Sequence, residues 1–198
     1  MFVEEQNRKG GSRMSNITIV AQGGGMVTAY HAGVVRAIGE RFGFSKIKRV
    51  IASSGAAAVY AYLVSGQTHM IEPIWFYLLE SGRFVDFGNH IRGRGVINID
   101  FLVDNAIRER YPLDFDSFRK SPILFDIGVT ETETGRSTFF PKNTQLDLYE
   151  LLRASCAIPY FYGKHVELAG RQYCDGTIGD IVGLSQIGDD AKVLVVLT

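Results

Sequence analysis

The sequence predicts an α/β domain built on a mainly parallel sheet, and three observations carry that prediction. Short β-branched runs, such as Ile17 to Ala21 and Lys192 to Leu197, alternate with segments whose apolar residues recur at helical spacing. Small-residue turns, Gly23 to Gly25 and Ser53 to Gly55, lie where each of the first two strands hands over to a helix. With 198 residues and 46% hydrophobic side chains, the chain suits one domain with a sizeable core.

Taken in order, residues 1–15 are polar, carry Glu4, Glu5, Arg8, Lys9 and Arg13, and lack the apolar stretch of a signal peptide. They read as a disordered tail or remnant ahead of a domain spanning 16–198. Ile17 to Ala21 reads as a buried parallel strand. Thr28 to Phe42 follows as a helix, with Ala32, Val35, Ile38 and Phe42 on its apolar face. Lys48 to Ala52 is the second strand, and Ser54 to Ser65 an alanine-rich helix stopped by Gly66. This is the grammar of βαβ units.

The middle is less regular. Met70 to Leu79 reads as an aromatic helix with Trp75, Phe76 and Tyr77, and Ile99 to Arg110 as another helix. Between them, Phe84 and Phe87 sit among glycines and are expected to be exposed. Ile123 to Thr130 and Ser137 to Phe140 form a hairpin through the turn at 132–136. A helix over Leu146 to Ala154 and a short hairpin over Val166 to Tyr173 follow. Lys192 to Leu197 reads as a central strand. Such a strand is normally covered by a helix, so the domain is expected to lack C-terminal elements or to be covered there by a partner.

Composition narrows the function. The 21 basic and 21 acidic residues cancel, so there is no electrostatic footprint for nucleic acid. Cys156 and Cys174 have no metal-like spacing and point to reduced thiols in a cytoplasmic protein. The longest apolar run, Val50 to Val64, is too short and too polar at its start to span a bilayer.

Three features could carry chemistry. Ser53 lies where a strand runs into a helix, at the sheet edge where ligands bind and where a helix N-terminus stabilises negative charge. It could equally be a helix N-cap. Against the elbow pattern G-x-S-x-G, the segment Ile51-Ala52-Ser53-Ser54-Gly55 lacks the first glycine. Reading Ser54 as the nucleophile instead puts Ala52 and Ala56 at the glycine positions and leaves Gly55 without a role. Gly23, Gly24 and Gly25, with Met26, can aim several amides at one anion. The dinucleotide pattern fails at Thr28 and has no acidic residue ending the second strand, and the Lys of a phosphate loop is absent. Asp175, in the turn Asp175-Gly176, is a candidate base, with His165 as a rival. A carboxylate with its reference pKa of about 3.9 is a weak base, so the Asp175 loop should be sheltered.

In order along the chain, five blocks resemble the bacterial patatin-like phospholipases. These are Gly23 to Val35 with its His31-Ala32-Gly33-Val34, Ser53-Ser54-Gly55-Ala56, the hairpin ending Thr134-Gly135, the segment Arg153-Ala154-Ser155-Cys156-Ala157-Ile158-Pro159, and Asp175-Gly176. The resemblance covers residues 17–198. It implies a three-layer α/β/α fold and an acyl-enzyme mechanism with a Ser53–Asp175 dyad. It also implies an oxyanion hole from Gly23, Gly24, Gly25 and Met26, no metal or cofactor, and phospholipid or other acyl ester substrates. The chain departs from the family at Val27 (usually Arg or Lys), Thr28 (usually Gly), Ile51 (the elbow's first glycine) and Thr177. A catalytically weak lipid-binding protein on the same scaffold is the competing expectation. Trp75, Phe76, Tyr77, Phe84 and Phe87 are candidates for peripheral membrane contact, with ordinary core packing as the alternative.

Overall fold

β1 (Ile17–Ala21) has β-branched residues buried on both faces, as a strand at the heart of a parallel sheet requires. It is part of a computed structural model that describes residues 17–88, 95–188 and 192–198. The proposed tail at 1–15 and His90 lie outside the described residues. Along the chain follow α1 (Tyr30–Arg41), β2 (Ile47–Ser53), α2 (Ser54–Val64) and α3 (Ile71–Glu80). Next come α4 (Phe101–Arg110, π-helical), α5 (Phe115–Lys120), β3 (Leu124–Glu131) and β4 (Ser137–Pro141). The series ends with α6 (Leu148–Cys156), β5 (Val166–Leu168), β6 (Arg171–Asp175) and β7 (Lys192–Val196).

The strands form one mixed sheet in the order β5-β6-β3-β2-β1-β7, with β4 added to β3. β7, β1, β2 and β3 run parallel. β4 and β6 run antiparallel to β3. The fold is therefore the expected α/β one, a mostly parallel sheet flanked by helices. Its main core lies on one face, where Ile19, Val50, Ala52, Ile127 and Val129 meet α1, α2 and α6. α2 is buried all round except at Gly55, and its alanines let it approach the sheet and its neighbouring helices. On the opposite face, Ile51 and Arg49 meet the segment 176–187, through Gly183 and the carbonyl of Gln186.

Two expectations change. Lys192 to Leu197 does form a strand, but β7 is at the edge, pairing only with β1 among the described residues, and Val193, Leu194 and Val195 are exposed. Hydrophobic content alone does not distinguish a central strand from an apolar edge. Phe84 is buried, not exposed, whereas Phe87 is exposed as expected. α5 has no counterpart in the sequence reading; Asp114 caps it by accepting the Ser117 amide at 2.9 Å.

Candidate active site

The site is made by a change of partner along β3. β2 pairs with β3 from Arg49↔Leu124 to Ser53↔Gly128, and β6 takes over at Val129↔Asp175. β4 occupies the other edge from Asp126 to Thr130, so β2 and β6 share one edge and run head to head. Their C-terminal residues, Ser53 and Asp175, meet there. Two glycines allow this crowding. A Cβ on Gly128 would lie 2.2 Å from the Ser53 hydroxyl, and one on Gly176 would lie 2.2 Å from the Gly128 carbonyl.

That packing also gives the two adjacent serines different surroundings. Ser53 is extended (φ −132°, ψ 158°), and strand alternation turns its side chain to the same face as Ile51, against Gly128 and Gly176. It is absent from the apolar cavity at the mouth of α2. Ser54 lines that cavity beside Gly25 and Met26. Its φ of +57° is rare for a residue with a side chain, and costs about 1–3 kcal/mol that the surroundings must hold. Such a strained strand-to-helix turn is the geometry of a nucleophile elbow. The strand's period of two thus directs the expected nucleophile Ser53 away from the cavity, and it is the Ser54 side chain that lines it.

Gly55 proves to have a role after all. A Cβ there would sit 2.3 Å from the Thr28 hydroxyl, which itself donates to the Gly25 carbonyl at 2.5 Å. Thr28, the departure from the family's glycine, is accommodated by the glycine at 55. Gly23 packs against Ser54 so closely that a Cβ would meet the serine Cβ at 2.5 Å. Gly25 adopts φ +56° and opens the 3₁₀ turn Gly25–Ala29. The first amides of such a turn have no partner within it and can face an anion. Val27 points outward, 60% exposed, so the cation it replaces would be a surface charge near the mouth.

Asp175 is fully buried. Its Oδ1 accepts the Thr177 amide at 2.9 Å and the Thr177 hydroxyl at 2.6 Å. Oδ2 is buried with no hydrogen-bond partner. Burial raises the carboxyl's pKa above its ordinary value, while the Thr177 hydroxyl and the nearby Ser54 hydroxyl pull the other way. The Ser54 hydroxyl thus acts on the carboxyl, while Oδ2 itself keeps no well-formed hydrogen bond.

Ser155 ties the parts together and was not singled out as a site residue. Its hydroxyl accepts the Ser54 amide at 2.8 Å and donates to the Gly128 carbonyl at 2.7 Å. Its carbonyl accepts the Gly176 amide at 3.3 Å, and the Ala157 carbonyl accepts the Asp175 amide at 3.0 Å. The segment after α6 therefore braces the elbow and the aspartate loop at once. The only sequence signal was the Arg153 to Pro159 block itself. His31 is buried in α1, its Nε2 2.9 Å from the Gln22 carbonyl, and burial lowers its pKa. The rival base His165 is exposed ahead of β5, and neither it nor His69 lines the cavity. Among the described residues, no group of three or more His, Cys, Asp or Glu side chains is placed to hold a metal.

The chain belongs to the patatin-like phospholipase family, whose model matches residues 19–186. It is 28% identical over 189 residues to the uncharacterized protein YjjU of Escherichia coli (strain K12), covering 91% of this chain and 51% of that one. In fold it is similar to VipD from Legionella pneumophila, with a TM-score of 0.65, 15% identity, and coverage of 91% of this chain and 49% of VipD. The chain spans about half the length of these relatives.

Proposed function

We propose that the protein is a carboxylic ester hydrolase acting on phospholipid, lysophospholipid or simpler acyl esters, with Ser54 as nucleophile and Asp175 as base. The observation that carries this is the unpartnered, buried Oδ2 of Asp175 beside a serine held at positive φ. A buried polar atom without a partner is costly unless function needs it free.

In this mechanism Oδ2 takes the Ser54 proton as Oγ attacks the ester carbonyl carbon. The amides of Gly24, Gly25 and Met26 hold the oxyanion, with Gly23 giving the turn its close approach to Ser54. The C–O bond breaks and the alcohol leaves with the proton. Water, giving its proton to Asp175, then attacks the acyl-enzyme; the fatty acid departs and Ser54 recovers its proton. The reaction calls on no cofactor. The apolar groups Phe87, Tyr160 and Phe161 are 76%, 94% and 53% exposed and cluster around Val96, next to Ile97 of the cavity wall. They make this rim the contact with a lipid surface. The buried free thiols Cys156 and Cys174 suit a reducing, cytoplasmic setting. Among the described residues, no helix is long and apolar enough to cross a membrane.

A fluorophosphonate probe tests the assignment together with hydrolysis of a short p-nitrophenyl ester. Wild type and Ser53→Ala should label and turn over, while Ser54→Ala should do neither. Labelling that persists in Ser54→Ala overturns the nucleophile. A wild type that binds lipid but neither labels nor turns over would establish the binding-protein reading instead.

A further inference from the structure

The cavity that holds Ser54 runs along one face of α2. Ser54, Ala58 and Tyr62 follow one another at the helical spacing of four, with Gly55 and Val59 beside them. α3 supplies the facing wall through Ile71, Ile74, Trp75 and Leu78, again at one helical face. The wall is almost wholly apolar, so a sugar or charged group would lose its hydration there without replacement. Of the α2 residues in the lining, Tyr62 is the farthest along the helix from Ser54; it is buried, its hydroxyl donating to the Tyr111 carbonyl. That bond holds the ring in the cavity wall.

The length follows from the helix. Eight residues at about 1.5 Å rise separate Ser54 from Tyr62 by roughly 12 Å. An extended alkyl chain built from bonds of about 1.5 Å advances about 1.25 Å per carbon. We propose that this channel binds a single aliphatic acyl chain of about ten carbons, with Tyr62 as the floor that sets the limit and Ala58 as the small residue that keeps the path open. The inference rests on Ser54 being the attacked end of the channel, and it names the acyl class of that site. A longer chain must leave its tail outside or displace Tyr62. A larger residue at Ala58, roughly 6 Å from Ser54, should cap the chain at about five carbons.

Trp75 is the single tryptophan and lines the channel, so its fluorescence reports occupancy without turnover. In the Ser54→Ala protein, methyl esters of C4 to C14 acids are titrated while Trp75 emission is followed. The affinity should rise about four-fold per added methylene and flatten near C10, with a blue shift of Trp75. In Ser54→Ala/Ala58→Leu the break should move to about C5. In Ser54→Ala/Tyr62→Leu it should move to longer chains, and circular dichroism confirms that each variant folds. Affinity that climbs unchanged through C14, a silent Trp75, or a break that moves in neither folded variant overturns the proposal. Because binding is read in a protein lacking Ser54, this outcome is separate from the nucleophile test. Active wild type with no break near C10 refutes the channel limit alone, while an inert wild type with the break refutes the hydrolase reading alone.

Discussion

At the scale of single residues, Asp175 shows what the site costs. Its folded-state pKa is raised chiefly by burial, so the native protein disfavours the ionised carboxylate. The sign follows: below the ordinary carboxylate range the group is neutral in both states and carries no penalty. As pH rises from that range through the raised folded pKa, the unfolded chain ionises first and stability falls. On the proposed mechanism Asp175→Asn should therefore abolish hydrolysis yet raise the stability of the fold at pH 7, read as a higher Tm. The gain should vanish in melts carried out below the unfolded-state carboxyl pKa; a gain that is independent of pH would mean that the charge is not its source. In the proposed mechanism the same residue sets the pH dependence of catalysis, since the base must be ionised. The acid limb of kcat/KM should lie above the ordinary carboxylate range, and Thr177→Val, which removes a bond favouring the charged form, should move it further up.

At the scale of elements, the 3₁₀ turn carrying Thr28 and the first turn of α2 carrying Gly55 fit as one unit. The Thr28 hydroxyl fills the space a side chain at 55 would need. Gly55→Ala should gain the usual helix preference of alanine, about 0.5–1 kcal/mol. It should lose more to overpacking, about 1–3 kcal/mol, for a net loss of stability in urea unfolding. Adding Thr28→Ala should restore most of it, and the coupling in the double-mutant cycle should exceed about 1 kcal/mol. Additive effects would show that the two elements do not compete for this space.

At the scale of the whole molecule, the sheet's change of partner at Gly128 places a strand end from early in the chain against one from late in it. Both are braced by Ser155, and the cavity wall at Ile97 adjoins the aromatic cluster at Val96. On the proposed function, the rim puts lipid contact on the same side of the molecule as the candidate site. Liposome flotation checks this: wild type should float with phosphatidylcholine vesicles, and a Phe87→Ala/Tyr160→Ala/Phe161→Ala variant should stay in the dense fraction while still hydrolysing a soluble short-chain ester. Equal flotation of the two proteins would remove the rim from the membrane contact.

The sequence by itself determined the α/β architecture and the family. Period-two and period-3.6 patterns are local, and the glycine turn, the serine turn and Asp175-Gly176 keep their order along the chain. It also singled out Ser53, Asp175 and the glycine turn as candidates, and these lie close together in the fold. Which of two adjacent serines enters the cavity was decided by tertiary structure, because strand register sends Ser53 toward Gly128 while Ser54, at positive φ, lines the cavity. The roles of Gly55 and Ser155 and the edge position of β7 were likewise decided there. Each depends on contacts between residues far apart in sequence, and composition and spacing carry no record of those contacts.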